Sequence, residues 1–174
     1  MKSLLQMRFI KYNHHYYQNK KITEKTIAMA KYVTLRRIYQ RVWLLLSNLP
    51  MSGHGVRPWL VKFGGVKVLD PKHTFIGTDI GWDTVHPEKI VIESGVRLTS
   101  RTSILTHFIN PQTGDYTCAE VRIKKNAFIG TGTIITKPVT IGERSIVGAG
   151  SVVTKNIPDD EVWAGNPAKF IRKR

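Results

Sequence analysis

From Ile123 to Ile157 the chain repeats every six residues. Ile123, Ile129, Ile135, Ile141, Val147 and Val153 follow one another without a slip, and Gly130, Gly142 and Gly148 each come directly after one of them. Four positions after each aliphatic stands another modest side chain: Ala127, Thr133, Val139, Ser145, Ser151 and Ile157. A period of six is neither the roughly 3.6 of a helix nor the roughly 2 of an ordinary strand. It predicts a solenoid of very short parallel strands wound around a prism-shaped core. The aliphatic points inward, and the glycine makes a close corner where a side chain would clash.

Stepped back from Ile104, the same frame meets Leu98, Ile92, His86, Ile80, Thr74 and Val68. The early rungs are degraded but recognisable. Ile104 and Ile123 are one hexapeptide plus thirteen residues apart, so a loop over about 110–122 must leave the coil. It carries Asn110-Pro111 and Thr113-Gly114-Asp115, which favour turns. It starts three residues after His107. In a repeat protein the coil supplies a rigid wall and insertions build sites on it.

Upstream the period changes. Thr23 to Asn48 predicts a helix, with Thr23 or Thr26 at its start. Ala28, Tyr32, Leu35, Tyr39, Val42, Leu46 and Leu49 form one apolar stripe, with Lys31, Arg36, Arg37 and Arg41 largely off it. The stripe is expected to pack on the solenoid or on a neighbouring subunit. Peripheral contact with an anionic membrane is a second role open to it. Leu49-Pro50 and Ser52-Gly53-His54-Gly55 end the helix. Residues 1–21 are polar, aromatic and basic, and are expected to dock loosely. Val162 to Lys169 is expected to make a last extended segment, and Phe170 to Arg174 a short basic tail. Two domains follow: a basic extension over 1–67 and a repeat domain over 68–174.

Charge sharpens this division. Residues 1–67 hold 13 Lys and Arg against the single acid Glu24, whereas residues 68–174 hold 14 against 11. A basic helix without a recognition motif or stacking platform gives no reason to expect nucleic acid. The lone Cys118 rules out an internal disulfide framework and fits a reducing compartment. No secretory signal and no bilayer-spanning run is expected, since the longest apolar candidate, Val42 to Leu46, is five residues. A cytoplasmic protein, peripheral at the inner face of a membrane if the helix contacts lipid, is the expectation.

The motifs resemble a known family. Ile104-Leu105-Thr106-His107 before the loop, Ile129-Gly130-Thr131-Gly132-Thr133-Ile134-Ile135, Val139-Thr140-Ile141-Gly142, Ile146 to Lys155, and Gly165-Asn166-Pro167-Ala168-Lys169 are similar to the hexapeptide-repeat O-acetyltransferases. The nearest types are the maltose and galactoside acetyltransferases and those of capsule and exopolysaccharide biosynthesis. The resemblance covers about Val68 to Arg174. It implies an all-β solenoid, a left-handed parallel β-helix with an N-terminal helical extension, assembled as a homotrimer with active sites between subunits. It also implies acetyl transfer from acetyl-CoA to a hydroxyl of a sugar or glycan. Other readings are transfer to an amine of an amino-sugar nucleotide or antibiotic, and a non-catalytic scaffold.

The chemistry needs a base, because a sugar hydroxyl is a poor nucleophile at neutral pH. Histidine suits that work, and such a base contributes roughly 10²–10⁴ in rate. By resemblance His107 is that base. Asp79 and Asp83 are candidates for binding acceptor hydroxyls or steadying the histidine, or are polar turn residues at coil corners. His86, at a core position of the frame, reads as structural. By resemblance Thr131 and Ala149 line the pantetheine arm, Thr154 and Lys155 stand farther along, and Lys169 and Arg172 meet the phosphates. Thr136-Lys137-Pro138 departs from the Pro-Gly usual there. His73, His86 and His107 lack the spacing of the related zinc enzymes, so no metal is expected.

Overall fold

The computed structural model describes residues 35–49, 53 and 55–174. Its strands, most of them two residues long, visit three faces in fixed rotation. The first face holds β1 (Lys67–Val68), β4 (Ile90–Ile92), β9 (Val121–Ile123) and β12 (Thr140–Ile141). The second holds β2 (Phe75–Ile76), β5 (Arg97–Leu98), β10 (Phe128–Ile129), β13 (Ile146–Val147) and β15 (Glu161–Ala164). The third holds β3 (Gly81–Trp82), β6 (Ser103–Ile104), β11 (Ile134–Ile135) and β14 (Val152–Val153). These strands pair with one another in parallel, so residues 67–164 form a three-sided coil.

The six-residue repeat works because one residue per strand fills the prism. Val68, Ile92, Ile123 and Ile141 stack in one column. Ile76, Leu98, Ile129, Val147 and Trp163 form the second. Trp82, Ile104, Ile135 and Val153 form the third. The aliphatic members are fully buried or nearly so. Residues four positions on, Ala127, Thr133, Val139, Ser145 and Ser151, are buried just inside the corners. There the hydroxyls of Thr133, Ser145 and Ser151 donate to the carbonyls of Gly130, Gly142 and Gly148 at 2.6–2.7 Å.

Two of the three corners turn through a left-handed residue, three positions after the inward one. Between the first and second faces it is Gly95, Asn126, Arg144 or Asp160; between the second and third it is Asp79, Arg101, Gly132 or Gly150. At the third corner the only described residue with positive φ is Gly114, in the hairpin described below. The two larger insertions lie at that corner.

The expected early frame is corrected. Ile76 and Trp82, not Thr74, Ile80 and His86, stand in register with Leu98 and Ile104. A 3-10 turn at Pro71–His73 adds two residues before β2, and a second at Pro87–Lys89 contributes to four added before β4. The two insertions total one hexapeptide, so the frame returns at Ile92 and the slip between is hidden. His86 lies at the head of the second turn, its Nδ1 3.2 Å from Glu88 Oε1, and is not a core residue. The expected loop exists, but as a hairpin of β7 (His107–Ile109) against β8 (Tyr116–Cys118), and it has closed before Val121.

At the first end of the coil lie α1 (Leu35–Ser47), which from Arg36 onward belongs to the compact unit Arg36–Arg174, and α2 (Arg57–Phe63) of the same unit. Leu44, Val61 and Val66 belong to the same buried cluster as the coil residues. Leu44 and Ser47 are the buried side chains of α1, whereas the expected stripe residues Leu35, Tyr39, Val42 and Leu46 are exposed. Polar anchors decide this. Arg57 Nε donates to the Ser47 carbonyl at 2.8 Å and its Nη1 to the Ile76 carbonyl at 3.0 Å, while the Asn48 amide pairs both ways with the Ile80 backbone at 3.1 Å. The expected helix start, Ala28, Tyr32 and residues 1–21 lie outside the described residues. At the other end Trp163 closes the core, and the last segment folds back after Ala164. The expected tail is part of an antiparallel strand, β16 (Lys169–Lys173).

Candidate functional site

The third corner carries the chemistry. The coil sets Ser103–Ile104 beside Gly81–Trp82, so the residues that follow each strand meet. Asp83 follows Trp82, and Thr106-His107 leads into the hairpin. Asp83 Oδ2 accepts hydrogen bonds from His107 Nδ1 at 2.7 Å, Thr106 Oγ1 at 2.6 Å and the Thr106 amide at 3.0 Å. Its Oδ1 accepts from the amides of Val85 at 2.9 Å and His86 at 3.2 Å. Five donors thus surround one carboxylate whose side chain is 1% exposed, while the His107 side chain is 31% exposed.

Burial by itself would push the Asp83 carboxyl up. The hydrogen bonds of Thr106, Val85 and His107 outweigh it and hold the group down at about 2. Asp83 is therefore an anion at neutral pH. An anion beside Nδ1 keeps the proton there and leaves Nε2 with a free lone pair. The hairpin adds a wall. The Tyr116 ring stacks on the His107 ring with centroids 6.0 Å apart. Burial, together with hydrogen bonding to Cys118 and the nearby charges of Cys118 and Asp83, pushes the Tyr116 hydroxyl up to about 12. Lys137 Nζ lies 5.9 Å from the Phe108 ring centre and ties the hairpin to the next coil.

The other expected site residues lie elsewhere. Asp79 is an exposed left-handed residue at the corner between the second and third faces, away from His107. Thr131 and Ala149 stack on that same corner, one coil apart: the Gly150 amide donates to the Thr131 carbonyl at 2.8 Å. Gly132 and Gly150 leave this corner bare, since a methyl added at either would meet nothing closer than 4.0 Å. Lys155 stands over the Trp163 ring at 5.0 Å, and Thr154 precedes it. Lys169 and Arg172 are exposed on β16, where they pair with Ala164 and Val162 of β15. One chain therefore places His107 and the Thr131–Ala149 corner at opposite edges of the third face.

Two participants were not legible in the sequence as site residues: the Thr106 hydroxyl and the Tyr116 ring. Position next to His107 and on the returning hairpin strand was the only signal. His73 and His86 each sit beside a carboxylate of their own, Asp70 and Glu88. Among the described residues no three His, Cys, Asp or Glu side chains converge as a metal site.

Comparison with known proteins agrees with the repeat fold. Residues 120–155 match the bacterial transferase hexapeptide (six repeats) family. Among curated proteins nothing matches significantly. Among solved structures, a maltose O-acetyltransferase from Clostridium difficile 630 is 27% identical, over 79% of this chain and 86% of that one, with a TM-score of 0.60. A hexapeptide-repeat acetyltransferase from Vibrio cholerae O1 biovar eltor, complexed with acetyl coenzyme A, is 23% identical over 88% and 91% of the two chains, with a TM-score of 0.64. A galactoside acetyltransferase in complex with coenzyme A is 23% identical over 79% and 80%, with a TM-score of 0.57. The last two likenesses are of fold.

Proposed function

We propose that this chain, which carries the hexapeptide repeat of bacterial transferases, is an acyl-CoA-dependent acyltransferase that moves acetyl from acetyl-CoA to a sugar hydroxyl, with His107 as general base. The observation that carries this reading is the 2.7 Å contact between His107 Nδ1 and a buried, ionised Asp83. The likeness to a maltose O-acetyltransferase supports a sugar hydroxyl as acceptor, and a polysaccharide or its precursor is the acceptor class we assign.

Nε2 of His107 takes the proton of the acceptor hydroxyl as its oxygen attacks the thioester carbonyl carbon. The carbon–oxygen bond forms and negative charge moves to the carbonyl oxygen. When that charge returns, the carbon–sulfur bond breaks, and His107 gives its proton to the departing sulfur. Asp83 keeps Nδ1–H in place throughout and stabilises the transient imidazolium.

The space at Gly132 and Gly150 supports the same corner as the co-substrate's place. The bare glycine corner beside Thr131 and Ala149 offers backbone groups to a thin pantetheine arm. Thr154 and Lys155 extend that wall, and Lys169 and Arg172 supply charge-assisted bonds for phosphates. Since one chain separates this corner from His107, a catalytic site takes the two from neighbouring subunits. A homotrimer of left-handed coils supplies that pairing, and the cytoplasm is the compartment we assign.

The test is free-thiol release from acetyl-CoA with a panel of sugars and amino sugars, for wild type and His107→Ala. Release that depends on a hydroxyl acceptor and falls by a factor of about 10² or more in the variant supports the reading. Equal release by both proteins removes His107 from the mechanism. Release only with amines moves the acceptor to nitrogen, and no binding of CoA by either protein leaves a scaffold.

A further inference from the structure

We propose that the outward face of α1, continued by α2, is a docking surface for an anionic lipid bilayer. The rotation of α1 is fixed from below. Leu44 packs so closely on Gly64 that a methyl there would lie 2.6 Å from Leu44 Cδ2. The anchors of Ser47 and Asn48 to Arg57 and Ile80 hold the same side down. The helix cannot roll to bury its other side without breaking them.

That other side is apolar and open. Leu35 is 86% exposed, Leu45 70%, Tyr39 53%, Ile38 48% and Val42 47%. At about 100° per residue these fall on one continuous arc. Trp43 stands at an edge of it, 5.8 Å from the Tyr39 ring and 5.4 Å from the ring of Phe63. Phe63 and Trp59 continue the exposed surface on α2, with Lys62 5.6 Å over the Trp59 ring. Arg36 and Arg41 are exposed and bracket the arc on its two sides. No acid occurs between Glu24 and Asp70.

An apolar arc with aromatics at its edge, arginines on both flanks and no acid matches the boundary between headgroups and acyl chains. Charge argues against a second copy of the same face, because self-pairing would set arginine rows against each other. It argues for anionic lipid, where each basic side chain near the surface contributes about fivefold in partitioning. No described helix is long and apolar enough to cross a membrane, so the contact is parallel to the surface. Arg41 and Leu45 also line, with Trp82 and Thr84, a depression of about 500 Å³. The docking face thus adjoins the corner that carries Asp83. The docking itself does not depend on the acyl-transfer reading.

The experiment is co-sedimentation of the full chain with phosphatidylcholine vesicles, with and without about one-third phosphatidylglycerol, at low and high salt. Two double variants accompany it, Val42→Glu with Leu45→Glu and Arg36→Gln with Arg41→Gln. Circular dichroism and oligomeric state are measured for each. Wild type is expected to partition at least tenfold better into the anionic vesicles, less so in high salt, and each folded double variant to lose at least tenfold. The arginine pair leaves the apolar arc intact, so it still tests the proposal if the glutamate pair misfolds. Absence of wild-type binding, or binding that both variants retain, overturns the proposal. So does an assembly that the glutamate pair dissolves without any lipid binding, which would make the face a contact between copies.

Discussion

His107 Nδ1 and Asp83 Oδ2 are 2.7 Å apart, although 24 residues separate them in the chain. The bond spans adjacent turns of the coil. It joins the residue that opens the hairpin to a carboxylate that also accepts from Thr106, Val85 and His86. The proton arrangement of the imidazole is thereby set by a group that is itself immobilised.

Asp83→Asn should therefore impair turnover without displacing the corner. Its amide would present a donor to one of the donors that Asp83 now accepts from, favouring the wrong histidine tautomer. A fall in kcat of about 10²–10⁴ with little change in the KM for acetyl-CoA is expected from steady-state thiol release. A KM effect alone would place Asp83 in binding.

The same carboxylate sets an acid limit. Its ordinary value of 3.8 is lowered to about 2 in the folded chain. A depressed value stabilises the fold where the group is ionised in both states, above about 4. That contribution, about 2 kcal/mol, is lost as the pH falls through about 2. Urea unfolding of wild type and Asp83→Asn should show a stability gap that narrows progressively below about pH 4. A gap independent of pH would mean that the loss in the variant is steric.

Tyr116 should titrate late. Its hydroxyl is raised to about 12. An ultraviolet titration of wild type against Tyr116→Phe should show one tyrosine ionising well above the usual value of about 10. A difference spectrum centred near 10 would mean that the Tyr116 hydroxyl is not buried beside Cys118 in solution.

Gly130 supports the coil by close approach. A methyl at this residue would lie 2.4 Å from the Ala149 amide nitrogen, a backbone atom that has no rotamer to yield. Gly130→Ala should destabilise by about 1–3 kcal/mol, the usual cost of overpacking. Gly53→Ala, where nothing lies within 4 Å, serves as the comparison. Equal unfolding midpoints for the two would show that adjacent coils can separate at little cost.

The sequence by itself determined the coil from Ile123 onward. A period of six is a local property: each aliphatic fills the same slot of the prism whatever lies elsewhere. It also showed that an insertion of thirteen residues interrupts the coil just after His107, whose role as base came from the resemblance of Thr106-His107. Tertiary structure alone decided the rest. The turns near Pro71 and Pro87 add two and four residues, which cancel as one hexapeptide, so periodicity pointed to Thr74, Ile80 and His86 where register selects Ile76 and Trp82. The sequence offered Asp79 and Asp83 alike for steadying His107; register sets Asp83 beside it, because neighbours on adjacent turns are set by register and not by spacing. The rotation of α1 was equally beyond the pattern. Its apolar stripe predicted the buried side, but Arg57, Ser47 and Asn48 satisfy buried backbone groups that the stripe could not, and those hydrogen bonds turn the stripe outward.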